Sequence, residues 1–379
     1  MKPEILSVAA VTDNFPDGQK LTAAHVRCSG EIDPARLQVE GHTVISSRTE
    51  GDTVILELLP SPLVPPPPKP PKGAGGPPKG KPGGPPNLPP AVRLEPRVTV
   101  IYEGNAYSST ETLEPVVEKF AQHMLDGMWY NLYIPVLEEG KTYPMVLFIH
   151  DAGVCGPHPK TTLSQGNGAV SFADPAWQAE HPCFVLAPQV DKFPHGPMTD
   201  DNFNVTPDFD RVKAIVDHVM ENYPVDRNRV YTTGQSMGCM ASCELNIRYP
   251  DLFAASLLVA GQWSPERMAE KCPRNNFWIL VSEGDRKACP GMTAVTDAME
   301  KKGAVILRSR WDGTKSPEEL TALAHEEMAK PGNVRFTIFE GSTVLRDLSD
   351  PNPGAHHMAT WPVAYSIDGL KEWLFSHSK

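Results

Sequence analysis

Arg229-Val230-Tyr231-Thr232-Thr233-Gly234-Gln235-Ser236-Met237-Gly238 is the stretch that decides the fold. Its first five residues are rich in β-branched and aromatic side chains and read as a short buried strand. The next five form Gly-x-Ser-x-Gly, and Met237 to Tyr249 then reads as a helix. A strand that turns at once into a helix around such a motif sets its serine at a sharp corner, with the hydroxyl above the sheet. Glycine is needed at 234 and 238 because strand and helix pass there too closely for side chains. The stretch therefore predicts an α/β sheet with a nucleophilic Ser236 at the end of a central strand.

Working outward, strands and helices alternate from about residue 105. Met128 to Ile134, Pro144 to Ile149, Cys183 to Ala187, Ala255 to Ala260, Phe277 to Val281 and Val334 to Phe339 read as strands. Pro207 to Tyr223 reads as a helix, with Phe209, Val212, Ile215, Val216 and Val219 on one face, Thr206 as N-cap and Pro207 in its first position. Pro290 to Lys302 and Val363 to His377 read as further helices. Apolar runs in the middle strands mean a mostly parallel sheet buried on both faces.

A serine nucleophile needs a base, and the base needs an orienting acid. In this strand–turn–helix context the chain order is Ser, then Asp or Glu, then His. Phe277 to Val281 is followed by Ser282-Glu283-Gly284-Asp285, which offers Asp285 with Glu283 as rival. Pro353-Gly354-Ala355-His356-His357-Met358 reads as a loop after the last strand and offers two adjacent histidines, which point opposite ways in an extended loop. An oxyanion hole takes one backbone N–H from the residue after the nucleophile, Met237, and one from the loop after an early strand. Phe148-Ile149-His150-Asp151-Ala152-Gly153 places Ala152 there, with His150 as a structural brace.

Residues 1 to about 60 alternate short β-like runs (Ile5 to Val11, Ala24 to Cys28, Thr43 to Ser47, Thr53 to Leu59) with Gly- and Asp-rich turns, and Arg97 to Tyr102 adds one more. Such spacing predicts a small β-sandwich over residues 1–104, ahead of a catalytic domain at 105–379. Of the 40 prolines in the 379 residues, 15 lie in residues 60–90, with 6 Gly, 4 Lys and no acid. That composition describes an extended insert within the sandwich. Gly75 to Lys81 imitates the start of a P-loop, but Pro82 follows where Ser or Thr is required, so no nucleotide site is read there.

The net charge of −11 argues against nucleic acid as a partner. No apolar run is long enough for a membrane span, and the start has no apolar leader, so a cytoplasmic chain is expected, or a secreted one whose leader was removed. The 7 cysteines, with no Cys-x-x-Cys pair, read as reduced buried thiols. His325-Glu326-Glu327 lacks a second histidine four residues on, and neither metal nor cofactor is implied. Trp263 and Trp311 are candidates for walls of a substrate pocket.

These residues resemble the α/β-hydrolase esterases of the polyhydroxybutyrate-depolymerase-like and prolyl-oligopeptidase-like group, which carry an N-terminal immunoglobulin-like domain. The resemblance rests on Tyr130 to Pro135, Leu147 to His150, Leu186 to Gln189, Asp226 to Tyr231, the serine corner, Tyr249 to Ala255, Gly261 and His357 to Trp361, and covers roughly residues 110–377. In that family the histidine precedes Met, which favours His357 over His356. The resemblance implies hydrolysis of short acyl, aryl, feruloyl or polyester substrates, small or polymeric, and a homo-oligomer or site entrance shaped by the N-terminal domain. Asp151 and Cys239 depart from it, since glycines are usual at both positions. A peptidase of the same fold, or a non-catalytic binding protein on this scaffold, is the competing reading.

Overall fold

The computed structural model describes residues 3–63, 91, 93, 95–346 and 354–379. The Pro/Gly-rich insert beyond residue 63, including the P-loop-like run, lies outside them. The chain divides into two compact units, one holding the described residues up to 63 with Arg93–Lys119, the other running from Phe120 to Lys379.

The first unit contains β1 (Ile5–Phe15), β2 (Gly18–Cys28), β3 (Leu37–Val39), β4 (Val44–Glu50), β5 (Thr53–Pro62), β6 (Thr99–Tyr102), β7 (Asn105–Ser108) and β8 (Glu111–Leu113). They form two sheets, ordered β4-β5-β2-β1-β8 and β3-β6-β7. Val8, Ala10, Val26 and Leu56 of the first share one apolar core with Leu37, Val39, Val100 and Tyr102 of the second. The boundary expected after residue 104 falls instead after Lys119. The reason is strand pairing: β7 pairs with β6, and β8 runs parallel to β1. Pro60 and Pro62 extend β5 beyond the Val44–Leu58 pair that ends its ladder with β4, where a missing N–H costs nothing on that side.

The second unit carries β9 (Ala121–Leu125), β10 (Met128–Tyr133), β11 (Tyr143–Ile149), β12 (Phe184–Gln189), β13 (Val225–Gln235), β14 (Ala255–Val259), β15 (Phe277–Ser282), β16 (Ile306–Trp311) and β17 (Val334–Phe339). Its helices are α1 (Thr161–Ser164), α2 (Pro175–Glu180), α3 (Asp208–Asn222), α4 (Met237–Arg248), α5 (Pro265–Lys271), α6 (Ala288–Glu300), α7 (Pro317–Met328), α8 (Ala355–Ala364) and α9 (Asp368–Phe375). The sheet order is β16-β17-β15-β14-β13-β11-β12-β10-β9. The strands from β16 to β12 pair in parallel, while β10 and β9 are antiparallel additions.

Strands β11, β14 and β15 are buried along their whole length, as a parallel sheet covered on both faces requires. On β15, Phe277, Ile279 and Val281 enter a core with Met268 of α5 and Met292 and Val295 of α6. Trp278, one residue out of phase, meets Trp373 of α9 on the other face, with ring centroids 5.4 Å apart.

Three local expectations change. The cap of α3 is Pro207 rather than Thr206. The single closing helix is two helices, α8 and α9. His356 and His357 lie in the first turn of α8, not on an extended loop.

Candidate active site

The corner between β13 and α4 is built by exclusion of side chains. A Cβ on Gly238 would lie 1.8 Å from the carbonyl oxygen of Ile149, and one on Gly234 would lie 2.5 Å from the same oxygen. Both glycines therefore let the corner pass over the end of β11. Ser236 sits at φ 51°, ψ −115°, a backbone region that costs a side-chain-bearing residue on the order of 1–3 kcal/mol. The corner is held by Ser236 N–H donating to Val259 O at 3.0 Å and Met240 N–H donating to Ser236 O at 3.0 Å. Cys239 is completely buried, and its sulfur fills the space a Cβ on Gly261 would need, 2.5 Å away. The departure at 239 is thus accommodated by the glycine at 261.

Ser236, His357 and Asp285 form one hydrogen-bonded chain. The distance from Ser236 Oγ to His357 Nε2 is 2.9 Å, and from His357 Nδ1 to Asp285 Oδ2 is 2.5 Å. An ionised carboxylate only accepts, so Nδ1–H donates to it, leaving Nε2 to accept the serine hydroxyl. Asp285 is 4 % exposed, and its other oxygen accepts the N–H groups of Lys287 and Ala288, each at 3.0 Å. Burial pushes this carboxyl up, but the hydrogen bond and charge of His357, with the two backbone donors, outweigh it and hold the group below the usual aspartate value. The ring of Trp361, one helical turn on, stands edge-on to His357 at 5.4 Å.

The rival residues point elsewhere. Glu283 is exposed, pairs with Arg310 at 2.7 Å and accepts Gly341 N–H at 2.7 Å. His356 turns to the other side of the same loop, with Nδ1 3.1 Å from Ser282 Oγ.

The loop after β11 carries the proposed second oxyanion donor. Ala152 opens a 3₁₀ turn, Ala152–Val154, capped by Asp151, whose Oδ1 accepts Gly153 N–H at 2.7 Å. The other oxygen of Asp151 accepts Gln235 Nε2–H at 3.3 Å, so the departure from glycine ties this loop to the serine corner. His150 braces the loop from inside. It is fully buried, donating Nδ1–H to Asp151 O at 2.7 Å and accepting Val190 N–H on Nε2 at 2.9 Å. Burial holds its pKa below the ordinary histidine value, so the ring is neutral.

A cavity of about 580 Å³ opens over these groups, lined in part by Ala152, Ser236, Met237, Met240, Asp285 and His357. Two of the lining residues are methionines whose sulfurs have polar neighbours. Met237 Sδ accepts Met198 N–H at 3.2 Å and lies 4.0 Å from Cys155 Sγ, and Met240 Sδ lies 3.8 Å from Thr199 Oγ1. The lining also has a polar part, with Asp200, Asp201, Gln262, Arg286 and Lys287. Asp201 is paired with Lys287 at 2.5 Å and accepts Gln262 Nε2–H at 2.7 Å. Asp200 accepts the backbone N–H groups of Asn202 and Asn204. The sequence reading missed this wall, because loop residues carry no periodic signal.

The two tryptophans expected in the pocket are not among its lining residues. Trp263 is 1 % exposed, donates its indole N–H to buried Glu244 at 3.0 Å and packs on Phe203. Trp311 is 4 % exposed and packs between Trp278 and Phe339. Both bury more surface in the core than a pocket rim would take from them. All seven cysteines are free, and six are buried. Among the described residues no group of three His, Cys, Asp or Glu could hold a metal ion, and no helix is long and apolar enough to cross a membrane.

No family model matches the chain. Among curated proteins it is similar to a poly(3-hydroxyalkanoate) depolymerase C of Paucimonas lemoignei, 25% identical over 154 residues, 38% of this chain and 34% of that protein. The chain thus matches about a third of that relative's length. Among solved structures it is similar to a thermostable esterase, with a TM-score of 0.77 and 21% identity over 99% of this chain and 100% of the other. With the sheet order above, this likeness establishes the α/β-hydrolase fold preceded by an N-terminal β unit.

Proposed function

We propose that this chain is a serine esterase that cleaves carboxylic esters through an acyl-enzyme. The observation that carries the reading is the continuous hydrogen-bonded path Ser236–His357–Asp285 lining an open cavity. Ser236 Oγ attacks the ester carbonyl as its proton passes to His357 Nε2. Asp285, ionised and buried, stabilises the imidazolium and holds Nδ1 protonated. The backbone N–H groups of Met237 and Ala152 receive the charge on the tetrahedral oxygen. The intermediate collapses, the C–O bond to the alcohol breaks, and His357 returns the proton to the leaving oxygen. Water then attacks the acyl carbon with His357 again as base, releasing the acid and restoring the serine. The likeness to a polyester depolymerase and to a thermostable esterase supports ester rather than amide cleavage.

The cavity lining supports a narrower reading of the substrate class. Asp201 and Lys287 neutralise one another, and Asp200 takes its hydrogen bonds from the amides of Asn202 and Asn204 while keeping its charge. Exposed Arg286 makes no hydrogen bond or ion pair with any described residue. Its guanidinium has donors available to a carboxylate on a substrate. Short esters bearing a carboxylate, as released from hydroxyacid oligomers, are the class that this wall favours over long alkyl esters.

The test is hydrolysis of p-nitrophenyl acetate and butyrate by the wild type and Ser236→Ala. Removal of the nucleophile is expected to lower kcat by at least about 10³-fold. Equal rates would reject the assignment.

A further inference from the structure

We infer that His356 is a positioning residue, which grips the acid-bearing loop so that its neighbour His357 meets Asp285 and Ser236. The inference rests on the esterase reading above. Its starting point is the first turn of α8, which begins after Gly354. The first turn of any helix leaves four N–H groups without intrahelical partners. The one side chain of this pair that reaches the reacting serine, His357, sits in that turn, where fraying is cheapest.

The other imidazole of this turn reaches the loop after β15. Nδ1 of His356 lies 3.1 Å from Oγ of Ser282, a completely buried residue at the end of β15. The ring occupies the space over Gly284, since a Cβ there would lie 2.3 Å from both Cε1 and Nδ1. Gly284 does not adopt a positive φ, so the ring, not the backbone, accounts for the glycine. Thr360 Oγ1–H donates to His356 O at 2.7 Å and secures the turn from within the helix.

Consecutive helical residues diverge by about 100°. Two adjacent histidines can therefore seize one short loop from two sides. His356 takes Ser282 and Gly284, and His357 takes Asp285. The segment Ser282-Glu283-Gly284-Asp285 thus reads as a unit: a hydroxyl and a gap for one ring, a carboxylate for the other. Glu283, pointing outward to Arg310, is the residue the arrangement does not use.

The test compares His356→Ala, His356→Asn, Ser282→Ala and the His356→Ala/Ser282→Ala pair on a p-nitrophenyl ester, with thermal melts of each. Misplacement of a reacting group by about 1 Å costs up to about 10²-fold, so His356→Ala is expected to lower kcat about 10- to 100-fold with KM changed less than threefold. His356→Asn, which keeps a polar atom near the place of Nδ1, should recover most of the loss. The double variant should be no slower than His356→Ala alone. The inference is overturned if His356→Ala lowers the melting temperature while kcat stays within twofold of wild type. It is overturned equally if Asn rescues nothing, or if the losses of the single variants multiply. If His356→Ala does not fold, Ser282→Ala and His356→Asn decide on the same criteria. Ser236→Ala and labelling of Ser236 by a fluorophosphonate separate a failure of this inference from a failure of the esterase reading, because only the latter would leave Ser236→Ala active and wild type unlabelled.

Discussion

The serine corner and the histidine turn meet at one hydrogen bond, yet they are built in opposite ways. The corner is fixed by main chain: Gly234 and Gly238 lie against the carbonyl of Ile149, and Ser236 is held in a strained conformation by backbone hydrogen bonds on both sides. The histidine turn is tied to the loop after β15 by side chains, through His356 on Ser282 and His357 on Asp285. The lesson is that Ser236 is placed by main-chain packing and main-chain hydrogen bonds, whereas His357 is placed by side-chain partners that can each be removed singly. Substitutions at the corner should therefore damage fold and rate together, and substitutions at the turn should separate them.

The sharpest contrast comes from Gly238→Ala beside Asp285→Asn. A methyl 1.8 Å from a backbone oxygen forces β11 and α4 apart, and a loss of at least about 3 kcal/mol is expected, read as unfolding at lower denaturant with activity lost in parallel. Asp285→Asn keeps an oxygen for the backbone donors but presents the wrong partner to Nδ1. It should lower kcat by about 10³- to 10⁴-fold with the melting temperature nearly unchanged. A folded Gly238→Ala, or an unfolded Asp285→Asn, would break the comparison.

Next in size is the corner's supporting pair. Gly261→Ala should cost about 1–3 kcal/mol through its clash with Cys239. Adding Cys239→Gly should return stability to within about 1 kcal/mol of wild type, the ordinary penalty of glycine in a helix. Chemical denaturation of the single and double variants measures both.

A pH experiment reaches the loop that joins the two regions. His150 has a folded pKa below its unfolded value of about 6.5, so the unfolded chain binds more protons. Its contribution is complete above that value and is lost as pH falls below it. The stability difference between wild type and His150→Gln should shrink towards acid by at most about 1.4 kcal/mol per pH unit. A difference that is flat between pH 7 and 5 would exclude a neutral buried ring. Asp285, depressed rather than raised, contributes only above its own folded value and is lost at still lower pH.

The smallest expected effect lies on the polar wall. Arg286→Met should lower the ratio of kcat/KM for a p-nitrophenyl hemisuccinate over that for p-nitrophenyl butyrate by about 3- to 10-fold, about the worth of one partly exposed charge contact. An unchanged ratio would remove the carboxylate from the proposed substrate class.

This contrast also explains how much the amino-acid order reveals. The corner is legible because close main-chain approach demands glycine at fixed offsets, and the buried strands because they are continuous apolar runs. The two edge strands of the large sheet, β16 and β9, escape such a reading. Charge interrupts Ile-Leu-Arg-Ser-Arg-Trp in the first, and Ala-Gln-His-Met-Leu in the second is half exposed and only weakly apolar. The histidine turn reads as a loop because Pro353-Gly354 breaks a helix signal and Pro362 breaks it again, while the partner of His356 comes from 74 residues away. The two tryptophans mislead for a related reason: a large aromatic suits core and pocket alike until its neighbours are known. Asp151, a departure in the sequence, is a link in the structure, since only the fold brings Gln235 within reach of its carboxylate.

The two methionines that line the cavity have a mechanical consequence. Methionine is unbranched and polarizable, so Met237 and Met240 yield in shape where leucine or valine would resist. Ser236 is thus mounted on a main-chain corner beside a lining that can change shape. A stiffer lining, through Met240→Leu or Ile, is expected to narrow the range of esters hydrolysed before it slows the best of them, as a panel of acyl chain lengths would measure.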